Sequence, residues 1–352
     1  SLKDRQQNLK MGSVPFASPL LLAPMSMISK AAFRRLMEDL GAGGTVSELI
    51  SCHGINYQND RTMKMLKIHP QEKHVGIQLF GEDPEAMASA AKVAAEQDIP
   101  PAFIDINMGC PVKKVVTKGG GSALMKDPQK LGHYFSLIKK AIEIPLTVKI
   151  RTGWDESSRN AEEVIRIAHE EGLEFVGVHG RSRTQQYKGQ ADWDYIEHLA
   201  QTVPLPLIGN GDLHTPEACE KRLKATSCQA LMLARGPLRN PFLFLESLMT
   251  EKERSEYPNY FHAEDYWEII EKLYQYMAEG EDVTSKNLTI SLRKHIVWFS
   301  AGFPSAGNFR SHVFQTPDID ETLKLSQEYF AALKNQQKQI DYNQTFMTSG
   351  HG

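Results

Sequence analysis

A single cysteine stands out as a candidate for proton chemistry. Cys110 lies in the segment Asn107–Pro111, directly after the apolar run Phe103–Ile106, and is flanked by Gly109 and Pro111. These neighbours predict a tight loop that fixes the thiol in place. A thiol with an unperturbed pKa of about 8.5 is mostly protonated at neutral pH and can donate a proton. We therefore expect Cys110 to act as a general acid, with no neighbour that stabilises its thiolate.

Two basic side chains and one amide also lie where apolar runs end. Lys149 and His179 close consecutive runs, and both could stabilise negative charge on a reduced flavin ring. Gln78 closes another run, and its amide could donate to and accept from the pyrimidine edge of such a ring. Lys149 alone also fits a Schiff-base lysine, because aldolases place a lysine at the end of a strand. Gln78 favours the flavin, since an aldolase gives this amide no particular role.

Two later segments are suited to binding a phosphate. Gly209-Asn210-Gly211-Asp212 and Ala234-Arg235-Gly236 each follow an apolar run and combine small residues with backbone N–H groups and one guanidinium. Such groups are common partners of phosphate oxygens in proteins. The sequence therefore predicts a phosphorylated cofactor there, although Asn-Gly-Asp is also a favourable turn sequence.

Clustered cations near these segments could hold a polyanion. Six of them follow two of the apolar runs: Lys113, Lys114, Lys118, Arg181, Arg183 and Lys188. The glycines at 119–121 leave the backbone between them open and flexible. A solvated loop face with no ligand is the alternative interpretation of these charges.

The net charge of the whole chain gives no attraction to nucleic acid, because it is −3 at pH 7. Local clusters would have to supply that attraction. The stretch 286–317 contains no Asp or Glu and carries six basic or imidazole side chains: Lys286, Arg293, Lys294, His295, Arg310 and His312. We expect Arg293 and Lys294 to bind nucleic-acid phosphates.

The other three cysteines predict neither a metal site nor a disulfide framework. Cys52, Cys219 and Cys228 lack CxxC spacing, which suits a reducing cytoplasm. Cys52 and His53 are chain neighbours, whose side chains point apart and do not form a catalytic pair. The longest apolar run near the start, Pro19–Met25, is too short to span a bilayer. We expect a cytoplasmic protein with no membrane segment.

Eight short apolar segments alternate with amphipathic ones and predict strands. They are Leu20–Ala23, Thr45–Ser47, Val75–Leu79, Phe103–Ile106, Leu146–Lys149, Phe175–Val178, Leu205–Ile208 and Ala230–Leu233. Pro84, Pro128 and Pro216 predict the first turns of three intervening helices. The side chains with chemical potential thus follow predicted strands.

Eight nearly continuous apolar strands, each followed by a helix, favour an α/β fold of the (β/α)8 TIM barrel type over a doubly wound sheet. The active site of such a barrel lies at the carboxyl ends of its strands. After about Met249 the sequence predicts charged helices without strands, hence a smaller all-helical C-terminal domain. We expect an N-terminal extension at 1–18, the barrel at 19–249, the helical domain at 250–342 and a tail at 343–352.

Several motifs together resemble one family, the tRNA-dihydrouridine synthases. In order and spacing, they are APMSMIS with FRRL, TVSE, IQLFG, DINMGCP with KK, GGGSALM with KDP, VKIRTGW, VHGRSRTQQYKG, IGNGD and LARG. The resemblance covers about residues 20–245. The longer segment after the cysteine is most similar to a bacterial branch of that family. One departure is the segment 26–30, where the family more often has small residues, Thr and Asp.

The resemblance implies an FMN barrel in which NADPH reduces the flavin and the flavin N5 gives hydride to C6 of a uridine in tRNA. Cys110 would then protonate C5, Asn107 would hold the flipped uracil, and the helical domain would grip the tRNA. By matching motif positions, FMN would contact Pro24, Met25, Ser26, Gln78, Lys149, His179, Asn210, Gly211, Asp212, Ala234 and Arg235. The resemblance gives no obligate protein partner.

Three alternatives remain open from the sequence. A flavin barrel of the dihydroorotate-dehydrogenase type would act on a free pyrimidine. A non-catalytic tRNA-binding or chaperone-like protein would need neither Cys110 nor Lys149. An enzyme with the same chemistry could instead act on ribosomal RNA.

Overall fold

The computed structural model describes residues 9–256, 261–280, 286–342, 344 and 346. Eight parallel strands form a closed barrel, in which β10 pairs with both β9 and β3. The barrel strands are β3 (Leu20–Leu22), β4 (Gly44–Ser51), β5 (Val75–Phe80), β6 (Phe103–Met108), β7 (Leu146–Arg151), β8 (Val176–His179), β9 (Leu207–Asn210) and β10 (Ala230–Leu233). All eight predicted strands are therefore confirmed.

The interior of the barrel contains a lower, apolar layer near the amino ends of the strands and an upper, polar layer near their carboxyl ends. Phe103 and Phe175 pack edge to face at 5.3 Å between ring centroids in the lower layer. The register aligns Gln78 with Asp105 and Asn107 with Lys149, so these polar side chains share the inner face. Parallel strands place their carboxyl ends at one rim. The chemically active residues therefore meet at that rim.

An antiparallel hairpin closes the opposite end of the barrel. It consists of β1 (Leu9–Met11) and β2 (Val14–Phe16). Phe16 contacts both aromatic rings of the lower layer, Phe103 and Phe175, each at 5.9 Å between centroids. The prediction of an extension at 1–18 outside the fold therefore needs correction for residues 9–18, while residues 1–8 lie outside the described residues.

Helices surround the barrel, and their starts follow the expected capping chemistry. The Asp83 side chain accepts hydrogen bonds from the N–H groups of Glu85 and Ala86. Pro128 instead begins a single 3₁₀ turn, and the helix starts at Leu131. The helices up to the last strand are α1 (Ala31–Asp39), α2 (Cys52–Asn56), α3 (Asp60–Met65), α4 (Pro84–Ala95), α5 (Lys113–Val116), α6 (Leu131–Ala141), α7 (Ala161–Glu170), α8 (Trp193–Thr202) and α9 (Pro216–Ala225).

Only helices follow the last barrel strand within the described part of the chain. They are α10 (Gly236–Arg239), α11 (Leu243–Leu248), α12 (Glu251–Glu256), α13 (Ala263–Gly280), α14 (Lys286–Ser300), α15 (Ala306–Val313) and α16 (Ile319–Leu333). None of the described helices is both long and apolar enough to cross a membrane. The expected tail at 343–352 falls almost wholly outside the described residues.

Polar contacts join α13 to α1 of the barrel. Arg35 donates to Glu279 at 2.6 Å and lies over the ring of Tyr276 at 3.6 Å. Asp39 accepts a hydrogen bond from the Tyr276 hydroxyl and pairs with Lys272 at 3.0 Å. These contacts surround apolar packing that is continuous from the barrel helices into the helical region. The two parts therefore share one core.

Candidate active site

A pocket opens at the rim formed by the carboxyl ends of the strands. It encloses about 570 Å³, part of which is open to solvent. Its lining residues are Ala23, Pro24, Met25, Lys149, His179, Tyr187, Asn210, Gly211, Asp212, Leu213, His214, Met232, Ala234 and Arg235. The structure thus brings together nine of the eleven residues predicted to bind a cofactor. Ser26 and Gln78 do not line this pocket.

Burial controls the charges of the two basic residues at the pocket floor. Desolvation and the nearby Arg151 charge lower the pKa of Lys149 to about 8, against the opposing effects of Asp105 and Cys110. Burial and the surrounding cations lower the pKa of His179 well below its usual value. His179 is therefore neutral at pH 7, and Lys149 carries a charge that it can lose near pH 8.

A chain of buried hydrogen bonds runs beneath the pocket. The Thr147 hydroxyl donates to Asp105 at 2.6 Å, and the Gln78 amide donates to the other carboxylate oxygen at 2.8 Å. Asn107 donates in turn to the Gln78 carbonyl oxygen at 2.9 Å. Gln78 is fully buried. Its amide therefore sets the orientation of Asn107 inside the barrel, rather than lying open to a ligand as the sequence suggested.

The same chain ends at the loop that carries Cys110. The Asn107 carbonyl oxygen accepts the backbone N–H of Cys110 at 3.0 Å. Arg151 donates from Nε to the Gly109 carbonyl at 2.7 Å, which holds the loop from its other side. Ser122 donates to the Cys110 carbonyl at 3.0 Å. The loop conformation is thus fixed by three separate side chains.

The Cys110 thiol is buried and keeps its proton. Burial raises the pKa of this thiol, while the Val112 backbone N–H and the charges of Arg151 and Lys149 act in the opposite direction. The expectation of no thiolate-stabilising neighbour is therefore wrong in detail, because two cations are close. The net shift still favours the protonated form, as a proton donor requires. Cys110 is not one of the lining residues, but it lies close enough to the pocket residue Lys149 for their charges to interact.

One end of the pocket presents groups suited to an anion. Gly211 has a φ of +136°, and a Cβ there would lie 2.5 Å from the Cβ of Ala191, so only glycine fits. Arg235 and His214 line the same end. The Nδ1 atom of His214 is buried and has no hydrogen-bond partner within the described structure. This ring nitrogen is therefore available to a ligand that enters the pocket.

Asp212 and Arg181 hold the loops around that end instead of pointing to solvent. Asp212, at φ +54°, accepts the N–H of Ala191 at 2.7 Å and pairs with Arg181 at 2.8 Å. Arg181 is 2% exposed and also donates to the carbonyls of Lys188 and Gly189. The sequence placed Arg181 in a polyanion clamp, but the structure gives it the role of a buried brace.

The first strand-end loop contributes backbone rather than side-chain chemistry. The Met25 N–H donates to the Ser29 hydroxyl at 2.9 Å, and that hydroxyl donates back to the Met25 carbonyl at 3.1 Å. Met27, at φ +63°, donates its N–H to the buried Glu48. The segment that departs from the family pattern is thus closed by its own hydrogen bonds, and Pro24 and Met25 reach the pocket.

The cations predicted to bind RNA fall into two groups. Lys113, Lys114 and Lys294 are exposed. Arg293 is half-buried and donates to the Thr316 carbonyl at 2.7 Å and to the Thr322 hydroxyl at 3.2 Å, so it braces the helical domain. His295, counted above with the basic residues of the helical domain, is buried, and desolvation lowers its pKa to about 4. It is therefore neutral and cannot contribute positive charge.

Four residues of this site were not predicted from the sequence. Tyr187 and His214 line the pocket, and Asp105 and Arg151 hold the layer beneath it. Asp105 and Arg151 each lie two residues from Asn107 or Lys149 on the same strands, so strand alternation could have found them. Tyr187 lies in a loop, and no periodic signal points to it.

The donor set fits a phosphorylated aromatic cofactor. Arg235, the backbone around Gly211 and the unpartnered His214 nitrogen are suited to a phosphate. Lys149 offers a positive charge at the barrel floor, where a ring could accept negative charge. Met25 and Met232 supply apolar walls. Cys52, by contrast, is buried away from the pocket, and burial raises the pKa of its thiol to about 11.

Comparisons with known protein sequences give one consistent family. A family model described as "Dihydrouridine synthase (Dus)" matches residues 21–337. A "Probable tRNA-dihydrouridine synthase" of Rickettsia prowazekii is 37% identical over 307 residues, which are 87% of this chain and 92% of the relative. The "tRNA-dihydrouridine synthase B" of Pseudomonas aeruginosa is 32% identical over 329 residues, 93% of this chain and 97% of the relative.

Comparisons with solved structures concern the fold alone. A complex of 2-naphthoyl-CoA reductase with 2-naphthoyl-CoA has a TM-score of 0.52 at 14% identity, over 70% of this chain and 52% of the other. Histamine dehydrogenase from a Rhizobium species has a TM-score of 0.53 at 12% identity, over 78% and 51%. This chain thus spans about half the length of those proteins. At such low identity the likeness supports the barrel architecture.

Proposed function

The chain belongs to the dihydrouridine synthase family, and we propose that it reduces the C5–C6 double bond of specific uridines in tRNA to 5,6-dihydrouridine. The observation that carries this proposal is the buried, protonated Cys110 beside a pocket with a phosphate-binding end. FMN is the proposed cofactor and NADPH its reductant. When bound, FMN would supply the hydride that uracil C6 accepts.

The residues of the pocket would hold FMN in two ways. The phosphate would be bound by Arg235, by the backbone at Asn210 and Gly211, and by His214. All of them line the pocket, and the Nδ1 atom of His214 has no other partner among the described residues. Lys149 would stabilise negative charge on the ring. Asp212 would act through the loop that it fixes, and Gln78 through the orientation of Asn107. Pro24, Met25, His179 and Ala234 would bound the ring, with Ser26 at its edge.

Cys110 would complete the reduction by proton transfer. Hydride addition at C6 leaves negative charge on the uracil, and the Cys110 thiol donates its proton to C5. The thiolate that forms lies near Lys149 and Arg151, whose charges favour it. The same cations that oppose the raised pKa of the resting thiol therefore stabilise the product of proton transfer. The proton is restored from solvent after each turnover.

Asn107 is positioned to hold the uracil. One N–H of its amide is bound to Gln78, and its oxygen accepts the N–H of Cys110. The oxygen also accepts the N–H of Gly109, so the amide keeps one N–H for a hydrogen bond to a base edge. A uridine in folded RNA must leave its stack to reach such a pocket. Exposed Lys113, Lys114 and Lys294 would bind RNA phosphates, and the helical domain at 250–342 would hold the tRNA body.

Anaerobic spectroscopy of the purified protein tests this function. We expect flavin absorption bands that bleach on adding NADPH and return on adding unmodified tRNA. Recovery only with a free pyrimidine would show a small-molecule oxidoreductase, and recovery only with ribosomal RNA would change the substrate. A purified protein that binds tRNA but holds no flavin, even after incubation with FMN, would contradict the enzymatic proposal. We propose that the protein acts in the cytoplasm, because its four cysteines lack the spacing of a disulfide framework and suit a reducing compartment.

A further inference from the structure

Three loops at the rim of the barrel meet at one partly exposed aromatic ring, that of Trp154. The Nζ atom of Lys126 lies 3.6 Å from the ring centroid of Trp154, and the Cζ atom of Arg183 lies 4.4 Å from the same centroid. Lys126 ends the short 3₁₀ helix Gly121–Lys126 after β6, while Trp154 and Arg183 follow β7 and β8. We call Lys126, Trp154 and Arg183 the rim cluster.

Backbone hydrogen bonds fix the rim cluster in place. The Arg183 N–H donates to the Gly153 carbonyl at 3.0 Å, and the Thr184 N–H donates to the Trp154 carbonyl at 3.1 Å. On the third loop, Asn160 donates from its side chain to the Met125 carbonyl at 2.7 Å. The three members are therefore held by paired loops and not by chance side-chain contacts.

No carboxylate neutralises these two cations within the described residues. The nearby acids are engaged elsewhere: Asp127 pairs with Lys130 at 3.1 Å, Asp155 accepts from Ser157 and Ser158, and Glu156 pairs with Arg159 at 2.6 Å. The Nε atom of Arg183 is buried and has no partner in the described structure. The cluster thus keeps its positive charge and an unused donor.

The Trp154 ring allows the like charges of Lys126 and Arg183 to lie close together. The face of an indole attracts a cation without cancelling its charge. The two charges lie within about one Debye length, ~8 Å at physiological ionic strength, so they repel each other in the free protein. An anion at the rim, within reach of both side chains, would relieve that repulsion. The arrangement is therefore suited to a phosphate group.

We propose that the rim cluster binds a backbone phosphate of the RNA beside the nucleotide that enters the pocket, an inference that rests on the proposed function. The cluster borders the site on both sides. Ser122, in the 3₁₀ helix of Lys126, donates to the carbonyl of Cys110, and Tyr187, in the loop of Arg183, lines the pocket. A phosphate held there anchors the strand at the point where its base leaves the stack.

A polyanion fits this surface better than the 2′-phosphate that distinguishes NADPH from NADH. The segment between β6 and α6, which contains Lys126, also contains α5, and α5 packs against the 3₁₀ helix. Three exposed lysines of this segment extend the positive charge: Lys113, Lys114 and Lys118. A nucleic-acid strand can use successive cations along such a surface, and each neutralised phosphate adds to the salt dependence of binding. A dinucleotide phosphate would use only one pair.

The test compares tRNA binding by the flavin-loaded wild type and two variants across a range of salt concentrations. We expect Lys126→Gln combined with Arg183→Gln to weaken tRNA binding roughly tenfold and to lower the slope of log affinity against log salt by about one. Reduction of the flavin by NADPH and by NADH should not change. Lys140→Gln, which removes an exposed charge of the following helix α6, is the control and should bind like the wild type.

Unchanged affinity and slope in the double variant would overturn the assignment. A higher KM for NADPH with no change for NADH would show instead that the cluster takes the phosphate of the reductant. If the double variant loses its flavin or its fold, Lys126→Gln alone, at an exposed position, decides by the same slope. The comparison needs only tRNA binding, so a wild type that binds tRNA without forming dihydrouridine would refute the proposed function and leave this test intact.

Discussion

At the scale of single residues, burial decides which groups carry protons. It raises the pKa of the Cys110 thiol and lowers the pKa of Lys149 to about 8. The two shifts keep an acid protonated while a neighbouring amine approaches neutrality near working pH. The Asp105 charge, which the Gln78 amide links to Asn107, opposes the lowering of the Lys149 pKa. Asp105 and Gln78 therefore influence the chemistry without contacting the substrate.

Replacing the thiol should separate the two halves of the reaction. Cys110→Ala and Cys110→Ser should both keep FMN and its reduction by NADPH within about twofold of wild type. Dihydrouridine formation should fall by about 10²–10⁴-fold, because loss of a general acid costs that much and a serine hydroxyl is a far weaker acid. Stopped-flow absorption and nucleoside analysis measure the two steps. An equal loss in both steps would remove Cys110 from the proton-donor role.

Removing the buried carboxylate should shift a pH profile. The Asp105 charge raises the pKa of Lys149, so Asp105→Asn should lower it and move the loss of the lysine charge below pH 8. We expect the alkaline fall in the rate of flavin reduction by NADPH to move to lower pH. Thr147→Val is the control, because it removes a hydrogen bond to Asp105 and leaves the charge. An unshifted profile in Asp105→Asn would show that Lys149 does not control this step.

At the scale of elements, the barrel depends on parts outside its own strands. The hairpin β1–β2 fills the lower end with Met11, Val14 and Phe16. Its turn is tied to the strand region by Glu174, which accepts the Ser13 N–H at 3.0 Å. A packed lower end holds the inward side chains of the layer above at fixed heights. The hairpin therefore supports the site from the opposite side of the barrel.

Removing the aromatic ring of Phe16 from the hairpin should destabilise the fold. Phe16→Ala removes a buried ring that contacts Phe103 and Phe175, and such a cavity costs about 3–5 kcal/mol of unfolding free energy. Lys10→Ala, an exposed position in the same hairpin, should change stability by less than about 0.5 kcal/mol. Urea unfolding measures both. Equal stability of the two variants would show that the hairpin does not close the barrel.

Two neighbouring cations on α14 should behave differently. Arg293→Ala should lower the unfolding free energy by about 1–3 kcal/mol, because two part-buried acceptors lose their charged donor. Lys294→Gln should leave stability unchanged and weaken tRNA binding in a salt-dependent way, since Lys294 is exposed. Thermal unfolding and filter binding distinguish the two effects. Weaker tRNA binding with normal stability in Arg293→Ala would restore its predicted role.

The sequence was sufficient for the order of elements but not for contacts between them. Apolar runs of strand length predicted all eight barrel strands, because a parallel barrel buries both faces of each strand. The hairpin was missed, since its two three-residue strands alternate with polar residues and resemble a loop. The sequence predicted that the Gln78 amide binds a ligand, whereas in the structure it binds Asp105. The register that aligns these two residues is a property of the closed barrel.

At the scale of the whole molecule, positive charge is local while the total is negative. The net charge of −3 gives no overall attraction to RNA. The exposed cations cluster on the segment between β6 and α6 and on the helical domain. Contacts between α1 and α13 join the barrel to the helical domain. The RNA would thus meet two separate positive surfaces. Such an arrangement favours a folded RNA that can touch both at once over a short single strand.

The most direct test is nucleoside analysis of unmodified tRNA after incubation with the purified protein, FMN and NADPH. Dihydrouridine should form at defined positions, its yield should depend on NADPH, and Cys110→Ala with bound flavin should form it about 10²–10⁴-fold more slowly. Reoxidation of the flavin by tRNA without dihydrouridine, or full product formation by Cys110→Ala, would contradict the central claim that this barrel reduces uridine with Cys110 as its acid.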